Sequence, residues 1–136
     1  MTYYADLTPY SYLPETLVEG TVIRNVGWLD AEHTYPTGNA PTGFVAHLGA
    51  LCRDHPVART RGMHWCELCA EGESDYPVIE DIDGTPVSLG SAEVRVEDQL
   101  GGILAAPDLV YHYVVKHGYL PPEPFVEAVL ARRTAG

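Results

Sequence analysis

Two cysteines and two histidines hold the clearest chemistry in this sequence. Cys66 and Cys69 are separated by two residues; after 42 intervening residues come His112 and His117, separated by four. Cys-x-x-Cys is the spacing of a knuckle that places two sulfurs on one ion. Two histidines three to five residues apart near a helix end do the same with imidazoles. Zinc is borderline soft and takes thiolate and imidazole ligands tetrahedrally, so the set Cys66, Cys69, His112 and His117 predicts a Zn2+ site. The long separation exceeds that of a small finger. The metal would instead pin the segment at 62–69 to a later helix across an intervening hairpin.

His64 competes for a place in that set. In an extended segment it shares a face with Cys66. It could replace His112 or His117, or stand beside the metal as an acid–base group. The two thiols could also form a redox pair. That use belongs at a helix start after a strand, and Glu67 between the thiols opposes the lowered thiol pKa it needs.

Whether such a site is structural or catalytic depends on coordination. Four protein ligands leave no open position and make the site structural. Three ligands leave room for water, and His64 or Glu93 would then be the general base of a zinc-dependent hydrolase or lyase. The zinc-deaminase pattern, His-x-Glu followed by Pro-Cys-x-x-Cys, is missing: Trp65 precedes Cys66. No phosphate-binding glycine loop or nucleophile elbow occurs either.

The ligands need elements to hold them. Residues 107–117 read as a helix opened by Pro107-Asp108 and closed by Gly118. At about 100° per residue, His117 falls about 140° from His112, beside Val110 at about 160°. That puts His117 central in the apolar face and His112 on its flank. Residues 78–97 read as a hairpin around Asp83-Gly84. Its apolar phase is odd at Val87 and Leu89 and even at Ala92, Val94 and Val96. A period of two cannot change phase without an extra residue, so a bulge or bend is expected near Gly90-Ser91.

Thr21–Leu29 reads as a strand, and residues 100–106 as a short apolar strand. A helix opened by Pro41 runs to about Arg53, with Phe44, Val45, Leu48, Leu51 and Cys52 on one face. Cys52 within that stripe reads as a buried small hydrophobe. A last helix covers about Glu123 to Arg133. Residues 1–20, rich in Tyr and Pro, read as an irregular arm whose rings pack on the body. The expected order is β-α-β-β-β-α-α: an α+β fold across residues 1–136 as a single small zinc-stapled domain, with an antiparallel hairpin or sheet and about three helices.

Composition narrows the function classes. With 136 residues, 46% hydrophobic and 20% charged, one domain with a core is expected and a disordered chain is not. No apolar run is long enough for a membrane span. Eight Lys+Arg against 19 Asp+Glu give a net charge of −11. Residues 67–98 hold ten of the acids and one base, Arg95. That excess disfavours nucleic acid as a partner and reads as a solvated face or a docking surface for a basic protein. Arg59 and Arg61 lie in the one basic patch. The opening Met1–Asp6 does not read as a secretion signal. With Cys-x-x-Cys, this points to the cytoplasm.

The runs R-G-x-H-x-C-x-x-C (Arg61 to Cys69), L-G-S-A-E-V-R-V (Leu89 to Val96) and A-A-P-D-L-V-Y-H-Y-V-x-x-H-x-Y-x-P-P (Ala105 to Pro122) resemble a family of small uncharacterised bacterial proteins. YYADLTPYSYLPET and NVGWLD extend the likeness over most of the chain. The resemblance implies that these runs form one unit, and it supplies no reaction. It keeps Glu93, inside the second run, as a possible functional carboxylate; otherwise Glu93 reads as an exposed strand residue paired with Arg95.

The leading expectation is a cytoplasmic zinc protein with a structural site and a binding or accessory role, whose partner is an unidentified protein or small molecule. The alternatives are the hydrolase or lyase, and an immunity-like inhibitor of a basic partner.

Overall fold

A computed structural model describes residues 3–13, 20–60, 63–69 and 77–135. The chain runs β1 (Ile23–Asn25), α1 (Phe44–Asp54), β2 (Val78–Ile82), β3 (Thr85–Leu89), β4 (Glu93–Glu97), β5 (Ile103–Pro107), α2 (Val110–His117) and α3 (Glu123–Leu130). This is the expected α+β domain with three helices, but with one strand more than the expected order, because the second arm of the hairpin expected over 78–97 divides into β3 and β4. Arg61 and residues 70–76 of the acidic loop lie outside the described residues, as do 14–19 of the N-terminal arm.

β4 pairs antiparallel with β5, and β5 pairs parallel with β1, giving a three-stranded mixed sheet ordered β1-β5-β4. β2 and β3 form a separate antiparallel hairpin. Asp83 and Gly84 both have positive φ, 53° and 82°. That is the type I′ geometry which Asp-Gly favours and which matches strand twist.

The sheet is covered on both faces. Val94, Val96, Leu104 and Ala106 belong to the main core with residues of α1, α2 and α3. Ala105 points the other way, into a smaller cluster with Tyr10 and Trp28, flanked by Tyr4, Tyr12 and Leu13. Burial on both faces leaves β4 buried at four of five positions. The arm also pairs through its backbone: Tyr10 N–H reaches the Ile23 carbonyl at 3.0 Å, and Asn25 N–H reaches Thr8 at 2.7 Å.

Several boundaries differ from expectation. The strand expected over Thr21–Leu29 is confined to β1, because Gly27 turns at φ 75°. α1 starts at Phe44, with Pro41 in the preceding turn, and Val45 is exposed. Its buried place is taken by Gly49, where a Cβ would come within 2.9 Å of Ile82. Pro107 ends β5, and α2 begins at Val110. α3 stops at Leu130, before Arg132 and Arg133.

The phase change at Gly90-Ser91 is a change of sheet. β3 ends at Leu89 in the hairpin, and β4 starts at Glu93 in the three-stranded sheet. Gly90 has φ 116°, and a Cβ there would lie 2.4 Å from the His64 carbonyl oxygen. Its N–H is held by Asp108 Oδ1 at 2.8 Å. Asp108 is itself buried, and burial pushes its carboxyl up to about 6 against the Gly90 and Ala92 amides that favour the charged form. Replacing Gly90 by Ala meets both the strained φ and the steric block. Gly90→Ala is expected to destabilise the fold by about 2–4 kcal/mol, read as a lower denaturant midpoint at unchanged slope.

Candidate metal centre

The knuckle is built locally. Residues 67–69 turn, and the N–H groups of Leu68 and Cys69 bond to the Cys66 sulfur. Cys66 is 1% exposed. Burial pushes its thiol up to about 12, outweighing the amide bonds that favour the thiolate. A cation beside the sulfur would reverse that balance.

α2 brings the imidazoles. Its first turn carries His112 and its last residue is His117; Gly118, at φ 66°, ends it with an N–H bond to the Tyr113 carbonyl. Burial, then the neighbouring His112 and Lys116, lower the His117 pKa, which keeps the ring neutral, the form a metal requires. His112 is the deeper ring at 5% exposure, and His117 is only half-buried. This reverses the order expected from the helical wheel. A wheel gives angle and not axial position, and His117 stands where the helix leaves the core.

The four side chains converge. Cys66 Sγ lies 3.3 Å from His117 Nε2, and Cys69 Sγ lies 3.3 Å from His112 Nε2 and 3.5 Å from His117 Nε2. One donor atom from each residue falls within 4.8 Å of all the others. Tetrahedral zinc, with Zn–S of about 2.3 Å and Zn–N of about 2.0–2.1 Å, requires S···N edges of about 3.5 Å. The cluster could hold a metal ion with little movement.

A fifth residue orients the cluster. Glu80 Oε2 on β2 is 2.5 Å from His112 Nδ1. A carboxylate on the outer nitrogen fixes the tautomer that leaves Nε2 free to face the cluster. Sequence reasoning missed Glu80, which stood among the ten acids of the 67–98 stretch. The signal was its place on a strand whose alternate residues, Val78 and Ile82, are apolar. Glu80→Gln is expected to lower metal affinity about 10–100-fold while leaving the four ligands intact, measured by competition with a chromophoric chelator.

The model of a family described as domain of unknown function (DUF7919) matches residues 2–130. The chain belongs to this family. No curated protein and no solved structure matches it. The expectation of an uncharacterised domain family is met.

In this DUF7919 chain, His64 and Glu93 stand outside the four-residue cluster. His64 Nε2 faces Tyr12 Oη at 3.3 Å, and its backbone N–H bonds to the Gly90 carbonyl at 2.8 Å. Burial lowers its pKa. Both side chains line a narrow cleft, about 10 Å³, with Tyr12, Trp28 and Ser91. Glu93 is not an exposed strand residue: it is 2% exposed. Its carboxylate accepts from Tyr10 Oη at 2.7 Å and from Arg95 Nη2 at 2.9 Å, and Arg95 also donates to Tyr10 Oη at 3.1 Å. The Arg95 partnership was expected; the burial follows from the N-terminal arm covering that face of β4. Burial, then Glu93, raises the Tyr10 pKa, so the phenol keeps its proton to donate.

The acidic stretch is not one solvated face. Asp98 is buried, bonded to Arg24 at 3.0 Å and to the Leu100 and Gly102 amides. Asp81, Asp83 and Glu97 are exposed. Cys52 is the buried hydrophobe expected; burial pushes its thiol well up, and its Sγ faces the Asp108 carbonyl.

Proposed function

We propose that this chain is a zinc protein whose Cys66, Cys69, His112 and His117 form a structural site. The observation that carries this reading is the convergence of two sulfurs and two imidazole nitrogens within 4.8 Å of one another. Soft thiolates together with imidazoles suit zinc better than magnesium or calcium, which take oxygen. Four protein ligands close the shell. The metal then ties the 63–69 segment to α2, and through Glu80 to the β2–β3 hairpin.

The cellular role under this reading is binding or accessory rather than catalytic. A water-activating site would need His64 or Glu93 at the metal. Support for the structural reading comes from the engagement of His64 with Tyr12, and of Glu93 with Arg95 and Tyr10. A reducing cytoplasm would keep both thiols available. Asp81, Asp83 and Glu97 offer acidic contacts to a basic partner.

Elemental mass spectrometry on protein purified without added metal tests the reading, with X-ray absorption for the shell. The expected result is one zinc per chain on two sulfurs and two nitrogens, kept in His64→Ala and lost in Cys66→Ser. Absence of metal, or a water oxygen in place of one histidine, would overturn it.

A further inference from the structure

Away from the metal cluster, a groove of about 370 Å³ lies between α1, α3 and the C-terminal segment. None of the four candidate ligands lines it. Its floor is apolar, made by Leu51, Val96 and Val129; its rim carries His47, His55 and Arg132. Asp54, the acid at the rim, is already held in a fork by Arg53, with both N–O distances 2.8 Å. Small-molecule sites are built in this way, from an apolar cavity of about 300 Å³ or more with few polar groups.

Arg132 is the telling residue. α3 ends in a Schellman turn: Arg133 N–H bonds to Ala128 and Arg132 N–H to Val129. The position Arg132 occupies is left-handed, φ 58°, where glycine or asparagine is usual. A residue with a Cβ is strained there, which sets Arg132 apart from an ordinary surface arginine. Its guanidinium is turned back to α1, where Nε donates to His47 Nδ1 at 3.2 Å. Among the described residues of this chain of charge −11, Arg132 makes no ion pair with a carboxylate. A second groove of similar size, near Leu100, is instead acidic: Asp98, Glu123 and Glu127 line it, and its Arg24 is held by Asp98.

We propose that this groove binds a small organic monocarboxylate, its apolar body on Leu51, Val96 and Val129 and its carboxylate on Arg132. A guanidinium presents a planar fork that suits a carboxylate. The rim histidines add donors without a competing negative charge.

The probe is octanoate, with octanamide as the uncharged match, titrated into the full chain and followed by amide and methyl NMR shifts. Octanoate is expected to shift the resonances of Leu51 and Val129, with octanamide at least about tenfold weaker. Arg132→Gly relieves the left-handed strain, so it is expected to raise the melting temperature while weakening octanoate at least about tenfold. That opposite movement separates a ligand role from a structural one. The proposal is overturned if octanoate moves no groove resonance, if octanamide binds as well, or if Arg132→Gly keeps its affinity. A lower melting temperature in Arg132→Gly would show that the arginine serves the fold, and would also overturn it.

Discussion

Stripping the metal with a strong chelator is expected to lower the melting temperature by more than about 10 °C, and Cys66→Ser to reproduce the loss. Zinc bound only by the folded chain adds its binding free energy to stability, about 10–16 kcal/mol in the smallest zinc domains. Here the core of α1, α2, α3 and the sheet stands partly on its own, so the fraction realised is smaller. Even about 3–5 kcal/mol moves the midpoint of a domain this size by about 10–20 °C. The reason is positional: the 63–69 segment carries no helix or strand, and the metal would be its main tie to α2. Burial holds the metal-free Cys66 thiol protonated, so binding must expel that proton and affinity must rise with pH. Differential scanning calorimetry with and without chelator, at two pH values, checks both statements. An unchanged midpoint would mean that the cluster is stable without metal.

Arg95→Ala is expected to be the most damaging substitution remote from the metal. It would leave the Glu93 carboxylate, 2% exposed, with Tyr10 as its remaining side-chain donor. Breaking one side of a buried ion pair costs about 3–5 kcal/mol, since the other charge stays buried without compensation. The melting temperature would fall by about 10–20 °C. Arg95→Ala combined with Glu93→Gln removes the stranded charge and should recover part of the loss. The double-mutant cycle then gives a coupling above about 1 kcal/mol. A loss in the double variant equal to the sum of the single losses would show that the pair does not couple.

The four converging residues were legible because their spacing is local: two residues within the knuckle, four within α2. The Asp83-Gly84 hairpin was legible for the same reason, since two adjacent residues determine the turn. What escaped depends on partners distant in sequence. Glu80 meets His112 across 32 positions, and Glu93 meets Tyr10 across 83. No periodicity in β4 announces that an N-terminal arm will bury its second face. The phase shift at Gly90 showed that the strand pattern broke, but not that the chain crosses to another sheet. The parallel pairing of β1 with β5 rests on three residue pairs far apart in the chain and has no local signature.

The separation of the knuckle from α2 also bears on the order of folding. Joining Cys69 to His112 closes a loop of 42 residues, an entropic cost of about 3 kcal/mol that the intervening strands must first offset. The complete ligand set is therefore expected to form after β2 to β5 have come together. An interaction absent from the transition state leaves the folding rate alone and slows unfolding. Zinc would thus act as a latch: stopped-flow refolding should run at the same rate with or without it, while the unfolding arm falls. The metal would then lengthen the lifetime of the folded chain more than it would speed its formation.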